Sequence, residues 1–210
     1  ILLHGPVGSS KSTIAGLFAL MLENFSRTEA GQTYKPVWQV EKGDAEGLDI
    51  LGTLGEFETN RLECPLHEEP LRILPVRLIR PQVIKYLNEK ITSRAGNKKP
   101  EHLLEVEGDA CPRCSDIFEK LMRIEKQDWK KVLEKYLRIQ RMVFSRAKRV
   151  GLASVRPKAE KDQDATELSG STNYAALAKF GDEVDPRTFN FRGHAEQSNR
   201  GYLGIEEMLK

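Results

Sequence analysis

Two groups of residues in this sequence have the types and the spacing to do chemistry. The first is "GPVGSSKST", residues 5–13. It nearly follows the phosphate-loop pattern G-x-x-x-x-G-K-[ST], with Ser10 where the second glycine belongs. In such a loop consecutive backbone N–H groups wrap a phosphate, and a helix N-terminus points at it. Gly5 and Gly8 supply the unusual dihedrals and the close backbone approach around Pro6, Val7 and Ser9. Lys11 is placed to reach the β- and γ-phosphates, the Ser12 hydroxyl to ligate Mg²⁺, and Thr13 to sit in the first helical turn. Ser10 stands at the junction of loop and helix. A small polar residue is favourable there, so the missing glycine is tolerable.

The second group is Cys64 and His67 of "CPLHEEP" with Cys111 and Cys114 of "CPRC". Each pair has two intervening residues, the spacing of a knuckle that gives two tetrahedral ligands to zinc. Together they make a Cys₃His set that uses every cysteine in the chain. Four protein ligands close a zinc site, which makes it structural rather than catalytic. "CPRC" alone also suits a redox pair, but no thioredoxin-like strand pattern precedes it. His4, His102 and His194 have no comparable partners and are expected to be ordinary structural residues.

A third, weaker signal lies at the other end. A nucleotide hydrolase needs an acidic residue at the end of a second buried strand, for the Mg²⁺ shell and the attacking water. In "YLGIEE", Tyr202, Leu203 and Ile205 are strand-like and lead into Glu206 and Glu207.

These residues need elements to hold them. Residues 1–4 read as the end of a buried strand. Ile14, Leu17, Phe18, Leu20, Met21 and Leu22 then recur at helical spacing to about Phe25. Strand, glycine-bearing turn and helix is the context a phosphate loop requires. Residues 34–40 predict a second strand, with Pro36 suiting an edge, and residues 41–60 a loop. In residues 61–125 one stretch, 81–91, is helix-like and opens on Pro81; residues 96–102 form a turn-rich link. Asp128 is a candidate N-cap for the strongest helix signal, with Trp129, Val132, Leu133, Tyr136, Leu137 and Ile139 as its apolar stripe. Residues 150–155 predict a short strand and residues 156–171 a polar loop. Residues 173–180 predict a helix capped by Gly181. There is no internal repeat and no low-complexity tract.

The bulk numbers exclude several classes. Of 210 residues, 39% are hydrophobic and 30% charged, which suits a globular chain with its own core. Thirty-three basic residues nearly cancel 31 acidic ones, so no global field points to nucleic acid. No apolar run approaches the roughly 18 residues of a membrane helix. With no secretion signal and three cysteines, the expected compartment is the cytoplasm. The chain lacks an initiator Met and opens inside a predicted strand, which suggests a fragment of a longer protein.

Taken together, "GPVGSSKST", "CPLHEEPL", "GDACPRC", "RVGLASVRPKAEKDQDATELSGSTNY", "DPRTFNF" and "NRGYLGIEEMLK" resemble the AAA+ domain of the bacterial PrkA serine protein kinases. The resemblance spans essentially the whole chain and includes the serine in the phosphate loop. It implies an α/β fold over residues 1–210, a parallel P-loop sheet flanked by helices, into which the Cys/His set adds a zinc-binding insertion at residues 61–125. It implies ATP and Mg²⁺ as ligands. Because an N-R-G stretch leads into the acidic strand of related proteins, it makes Glu207 the residue for the water and Glu206 an additional Mg²⁺ carboxylate. Residues 156–171 correspond to a loop that relatives use on partners, or to a plain solvated one. No H-R-D-x-x-x-x-N or D-F-G signature occurs, so the kinase chemistry the resemblance implies belongs to a region beyond these residues. The expected function is Mg-ATP binding and hydrolysis coupled to a protein substrate, by phosphorylation or by unfolding and proteolysis, in a homo-oligomeric ring. The alternative is a nucleotide-sensing scaffold that does not hydrolyse ATP and docks partners through its zinc knuckle.

Overall fold

Lys11 opens the helix α1 (Lys11–Arg27), which ends where Thr28 turns extended and donates its N–H to the Phe25 carbonyl. In the computed structural model of the chain, residues 3, 8–41, 61–77, 79–96, 100, 103–156 and 165–206 are described. The chain divides into two units. One comprises Ile1–Lys35, Glu63–His67 and Gln140–Lys210, the other Pro36–Leu62 and Glu68–Ile139. Strands β1 (Thr33–Gln39), β2 (Arg61–Glu63) and β3 (Leu137–Met142) form a three-stranded sheet in the order β2-β1-β3.

In the first unit, β4 (Leu152–Val155) pairs in parallel with β7 (Tyr202–Ile205), and Leu152 faces Tyr202 while Val155 faces Ile205. Ala19 of α1 forms a buried cluster with Met142, Phe144 and Leu152, and Leu22, Val150 and Tyr202 pack around it. The helix carrying the phosphate loop and the strand leading to the acidic residues therefore share one small core. Two polar ties fix the end of α1. The buried Ser26 hydroxyl donates to the Glu23 carbonyl and accepts the Phe144 N–H, and the Arg141 guanidinium donates to the carbonyls of Ser26, Arg27 and Thr28. The last helical carbonyls, which have no partner inside the helix, are thus satisfied by a cation. Further along come α5 (Ala165–Ser169), β5 (Ser171–Thr172), α6 (Tyr174–Phe180), β6 (Phe189–Asn190) and α7 (His194–Gln197), with β5 and β6 antiparallel.

The second unit holds α2 (Arg80–Ala95), α3 (Pro112–Ile124) and α4 (Trp129–Tyr136). Trp38, Ile117, Leu121, Val132 and Tyr136 are buried in it, and the Trp38 and Phe118 ring centroids lie 6.4 Å apart. Between α3 and α4 the buried Glu125 accepts a hydrogen bond from the Tyr136 hydroxyl at 2.8 Å and pairs with Lys131 at 2.8 Å. Lys131 first, then Tyr136, hold its carboxyl well below the usual range, at about 2.

The elements show where pattern alone decides. The helix over 11–27, the strand over 33–39, the helix from Arg80 with Pro81 in its first turn, and the strands at 152–155 and 202–205 all lie where periodicity places them. Asp128 caps α4 by accepting the Lys131 N–H, Asn173 caps α6, and Gly181 closes α6 at φ 75°. Three expectations are corrected. The helix after Asp128 stops at Tyr136, and Leu137 and Ile139 belong to β3. Two apolar residues two apart suit a strand as well as a helix, and pairing to β1 decides between them. A second helix in the metal-ligand region, α3, was hidden inside the reading of "CPRC" as a knuckle. Cys111 is its N-cap, Pro112 starts it, and Cys114, Ile117 and Leu121 are its buried stripe. The end of the expected polar loop is the short helix α5 and strand β5. The strand expected at residues 1–4 lies outside the described residues apart from Leu3, which is exposed. So do most of the loop at 41–60 and of the link at 96–102.

Candidate functional site

Gly5, Pro6 and Val7 lie outside the described residues, so the phosphate loop is seen from Gly8 onward. Gly8 has φ 85°, and a Cβ there would have no heavy atom within 4 Å, so the turn is open. Ser10 is not yet helical. It is the N-cap of α1 in the left-handed conformation, φ 58° and ψ 20°, with no side-chain capping bond. Such a conformation costs a non-glycine residue about 1 kcal/mol or more, which is why the usual pattern has glycine there. Ser10 still serves the helix through its carbonyl, which accepts the Ile14 N–H at 3.0 Å.

Alternating hand along a turn gathers backbone amides into a concave anion-binding nest. Left-handed residues at 8 and 10 next to a helix start fit that device. The first turn of α1 contains no acidic residue, so no carboxylate of that turn competes for its positive end. Lys11 Nζ donates to Ser9 Oγ at 3.0 Å, which lays the ammonium back over the loop. Ser12 and Thr13 are exposed on the first turn. These residues fit a phosphate with its metal ion.

On the acidic side, the Glu206 N–H donates to the Val155 carbonyl at 2.9 Å and prolongs the β4–β7 ladder by one step. Glu206 is therefore held at the strand end; Glu207 lies outside the described residues. The turn before β7 explains "NRG". A Cβ on Gly201 would lie 1.8 Å from the Gly151 carbonyl oxygen, so only glycine lets this turn meet the start of β4. The Tyr202 N–H then donates to that same carbonyl at 2.9 Å. Asn199 Nδ2 donates to the Leu66 carbonyl at 2.6 Å, and Arg200 Nη1 donates to the carbonyls of Tyr34 and His67. The turn that leads into the acidic strand is thus latched to the turn that follows Cys64.

All three cysteines are buried and in no disulfide. Within the second unit the structure brings Glu68, Cys111 and Cys114 together. One ligand atom from each of these three residues lies within 4.8 Å of the others. Cys64 sits on the short turn Glu63–His67, whose chain continues directly into Glu68. Glu68 Oε2 accepts the Cys111 N–H at 2.7 Å, and Glu68 Oε1 lies 3.5 Å from Arg72 Nη1. The Cys114 N–H points at Cys111 Sγ, 3.4 Å away, at the N-terminus of α3. Arg80, buried nearby in sequence space at the start of α2, donates to the carbonyls of Leu74, Arg72 and Gly108 and so pins the segments that flank Glu68 and Cys111. His67 is not in the group. It adopts φ 47°, its Nδ1 is buried with no hydrogen-bond partner among the described residues, and burial, followed by the Lys35 charge, lowers its pKa.

The place of Glu68 beside Cys111 and the Asn199–Gly201 latch are features the sequence reading did not contain; the carboxylate stands in "CPLHEEP", four residues after Cys64.

The family model for the PrkA AAA domain matches residues 1–210. The chain belongs to the PrkA AAA domain family. Its mixture of helices and sheets fits the α/β P-loop fold of an AAA-type ATPase module, and such a module implies ATP and Mg²⁺. Over 210 residues the chain is 28% identical to the ATP-dependent protease PrkA of Bacillus subtilis (strain 168), covering all of this chain and 26% of that protein. It thus spans about a quarter of that relative's length. No solved structure matches. Among the described residues no helix is long and apolar enough to cross a membrane.

Proposed function

We propose that this chain binds and hydrolyses Mg-ATP as the motor part of a cytoplasmic PrkA-type protein and transmits the nucleotide state to a protein substrate. The observation that carries this reading is the turn at Gly8–Ser10 entering α1 beside the β4–β7 pair, in a chain whose family is an AAA ATPase. The loop amides of residues 5–13 and the Lys11 ammonium bind the phosphates. Ser12 and Glu206 hold the Mg²⁺ shell, and Glu207 orients the attacking water. Magnesium, when bound, neutralises charge that builds on the phosphate oxygens. Tyr202 and Ala19 sit in one core, so a shift at the helix is felt by the acidic strand. A ring of copies supplies the arginine that completes each site.

For the output, phosphorylation of a protein by a further region is the reading the PrkA resemblance supports. The name of the Bacillus subtilis relative, an ATP-dependent protease, favours a second one, in which the module unfolds or feeds a substrate for cleavage. We also assign Cys111 and Cys114, with Glu68 of the same unit beside them, a structural zinc ion that makes residues 61–125 a metal-stapled insertion.

The test of the motor reading is Glu207→Gln in the full-length protein. A residue that activates water contributes about 10²–10⁴-fold, so turnover should fall at least about 100-fold while ATP affinity holds. Turnover near wild type would overturn the assignment and favour a nucleotide-sensing scaffold.

A further inference from the structure

We infer that α1 carries a second, helix-docking face, filled in the full-length protein by an amphipathic helix of its own chain from outside residues 1–210.

One side of α1 is turned inward within the first unit: Ala19, Leu22 and Ser26 lie against Met142, Phe144 and Leu152. A surface helix needs only that one apolar stripe, with polar residues opposite. This helix has another. Ile14, Leu17, Phe18, Met21 and Phe25 are 40%, 53%, 38%, 65% and 52% exposed. Ile14, Phe18, Met21 and Phe25 fall at i, i+4, i+7 and i+11, the seam spacing of one helix packed on another, and Leu17 stands beside them. Leu20, also exposed, lies off this row. Single exposed apolar side chains are ordinary, but five in one row mark a docking surface.

The size of the row points to the occupant. Taking roughly 200 Å² for a fully exposed large side chain, the row offers on the order of 500 Å². A stable interface between separate molecules takes about 800 Å² from each partner, so this row alone would not hold two copies together. A tethered segment escapes that limit, because its linker supplies an effective concentration in the millimolar range. There is chain to supply one, since residues 1–210 correspond to 26% of the length of the Bacillus subtilis relative. Ile14 stands two residues after Ser12, so the docked helix rests on the element that carries the phosphate loop and joins the rest of the protein to it.

The test places a benzophenone photocrosslinking amino acid at Leu17 and, separately, at Met21 of the full-length protein, with circular dichroism to confirm the fold. Mixing isotope-light and isotope-heavy copies tells links within one chain from links between two. Both sites should link to one segment outside residues 1–210, of like isotope. A link to a peptide of residues 1–210 would overturn the assigned occupant, and a link between light and heavy copies would overturn it in favour of a second copy. Met21→Cys reads the same face without a bulky probe, through iodoacetamide alkylation of the peptide that spans position 21. Alkylation should run at least about 100-fold slower in the native protein than in denaturant, because it must wait for an opening. No link from either site, or native alkylation at the unfolded rate, would show the row open to solvent and end the proposal.

Discussion

The phosphate loop and the cysteine site carry their chemistry on different parts of the chain. At residues 8–13 the proposed work falls to backbone amides shaped by two left-handed residues, and the side chains are exposed or half-buried. At Cys111 and Cys114 the groups are buried side chains beside Glu68, a residue far away in sequence. The first kind of site survives as a short contiguous word. The second depends on how its pieces fold, which a spacing rule alone does not give.

That contrast predicts unequal damage. Cys111→Ser with Cys114→Ser removes two ligands and the N-cap sulfur of α3 together. Because metal binding is folding energy, loss of the ion should cost at least about 4 kcal/mol. At roughly 2–4 °C per kcal/mol for a domain of this size, the melting temperature falls by roughly 8–16 °C. A chelator should then have no further effect on the variant. A wild-type melting curve indifferent to chelator would erase the distinction between the two regions.

At the phosphate loop the folding effect should be small and the binding effect large. Lys11→Ala removes a charged donor to the phosphates, worth about 1.5–3 kcal/mol, so titration calorimetry should show ATP affinity down roughly 10- to 100-fold with thermal stability nearly unchanged. An unaltered affinity would remove the loop from the nucleotide site.

Gly201→Ala sharpens the comparison from the third side, since it touches neither site directly. The new methyl would overlap the Gly151 carbonyl at the start of the parallel pair. Forcing such overlap costs about 1–3 kcal/mol, visible as a lower denaturation midpoint. Because the same turn bonds to the Leu66 and His67 carbonyls, weaker metal retention should accompany the loss.

Legibility followed the same divide. Local words were readable: the apolar spacing of α1, Pro81 at a helix start, Asp128 and Asn173 as caps, Gly181 at a helix end. Each rests on forces acting within a few residues. The end of α4 was not readable, because Leu137 and Ile139 satisfy both periods and sheet pairing chooses. The approach of Glu68 to Cys111 was not readable, because the bend at His67 that precedes it is a tertiary fact. Nor was the need for glycine at 201, which arises only when β4 and β7 meet.

The smallest expected effect concerns the residue that breaks the phosphate-loop pattern. Ser10 holds a left-handed conformation that glycine adopts freely, so Ser10→Gly relieves about 1 kcal/mol or more of strain in the folded chain. Glycine also gives the unfolded chain about 0.4–1 kcal/mol of extra conformational freedom, which offsets most of that relief. The net gain in stability should therefore stay within about 1 kcal/mol, and ATP affinity should stay close to wild type because the amide row is unchanged. Ser10→Val places a β-branched residue at the same φ and should lose both stability and affinity. If valine were tolerated as well as glycine, the left-handed turn would not be what shapes this loop, and its chemistry would have to lie in side chains, as it does at the cysteines.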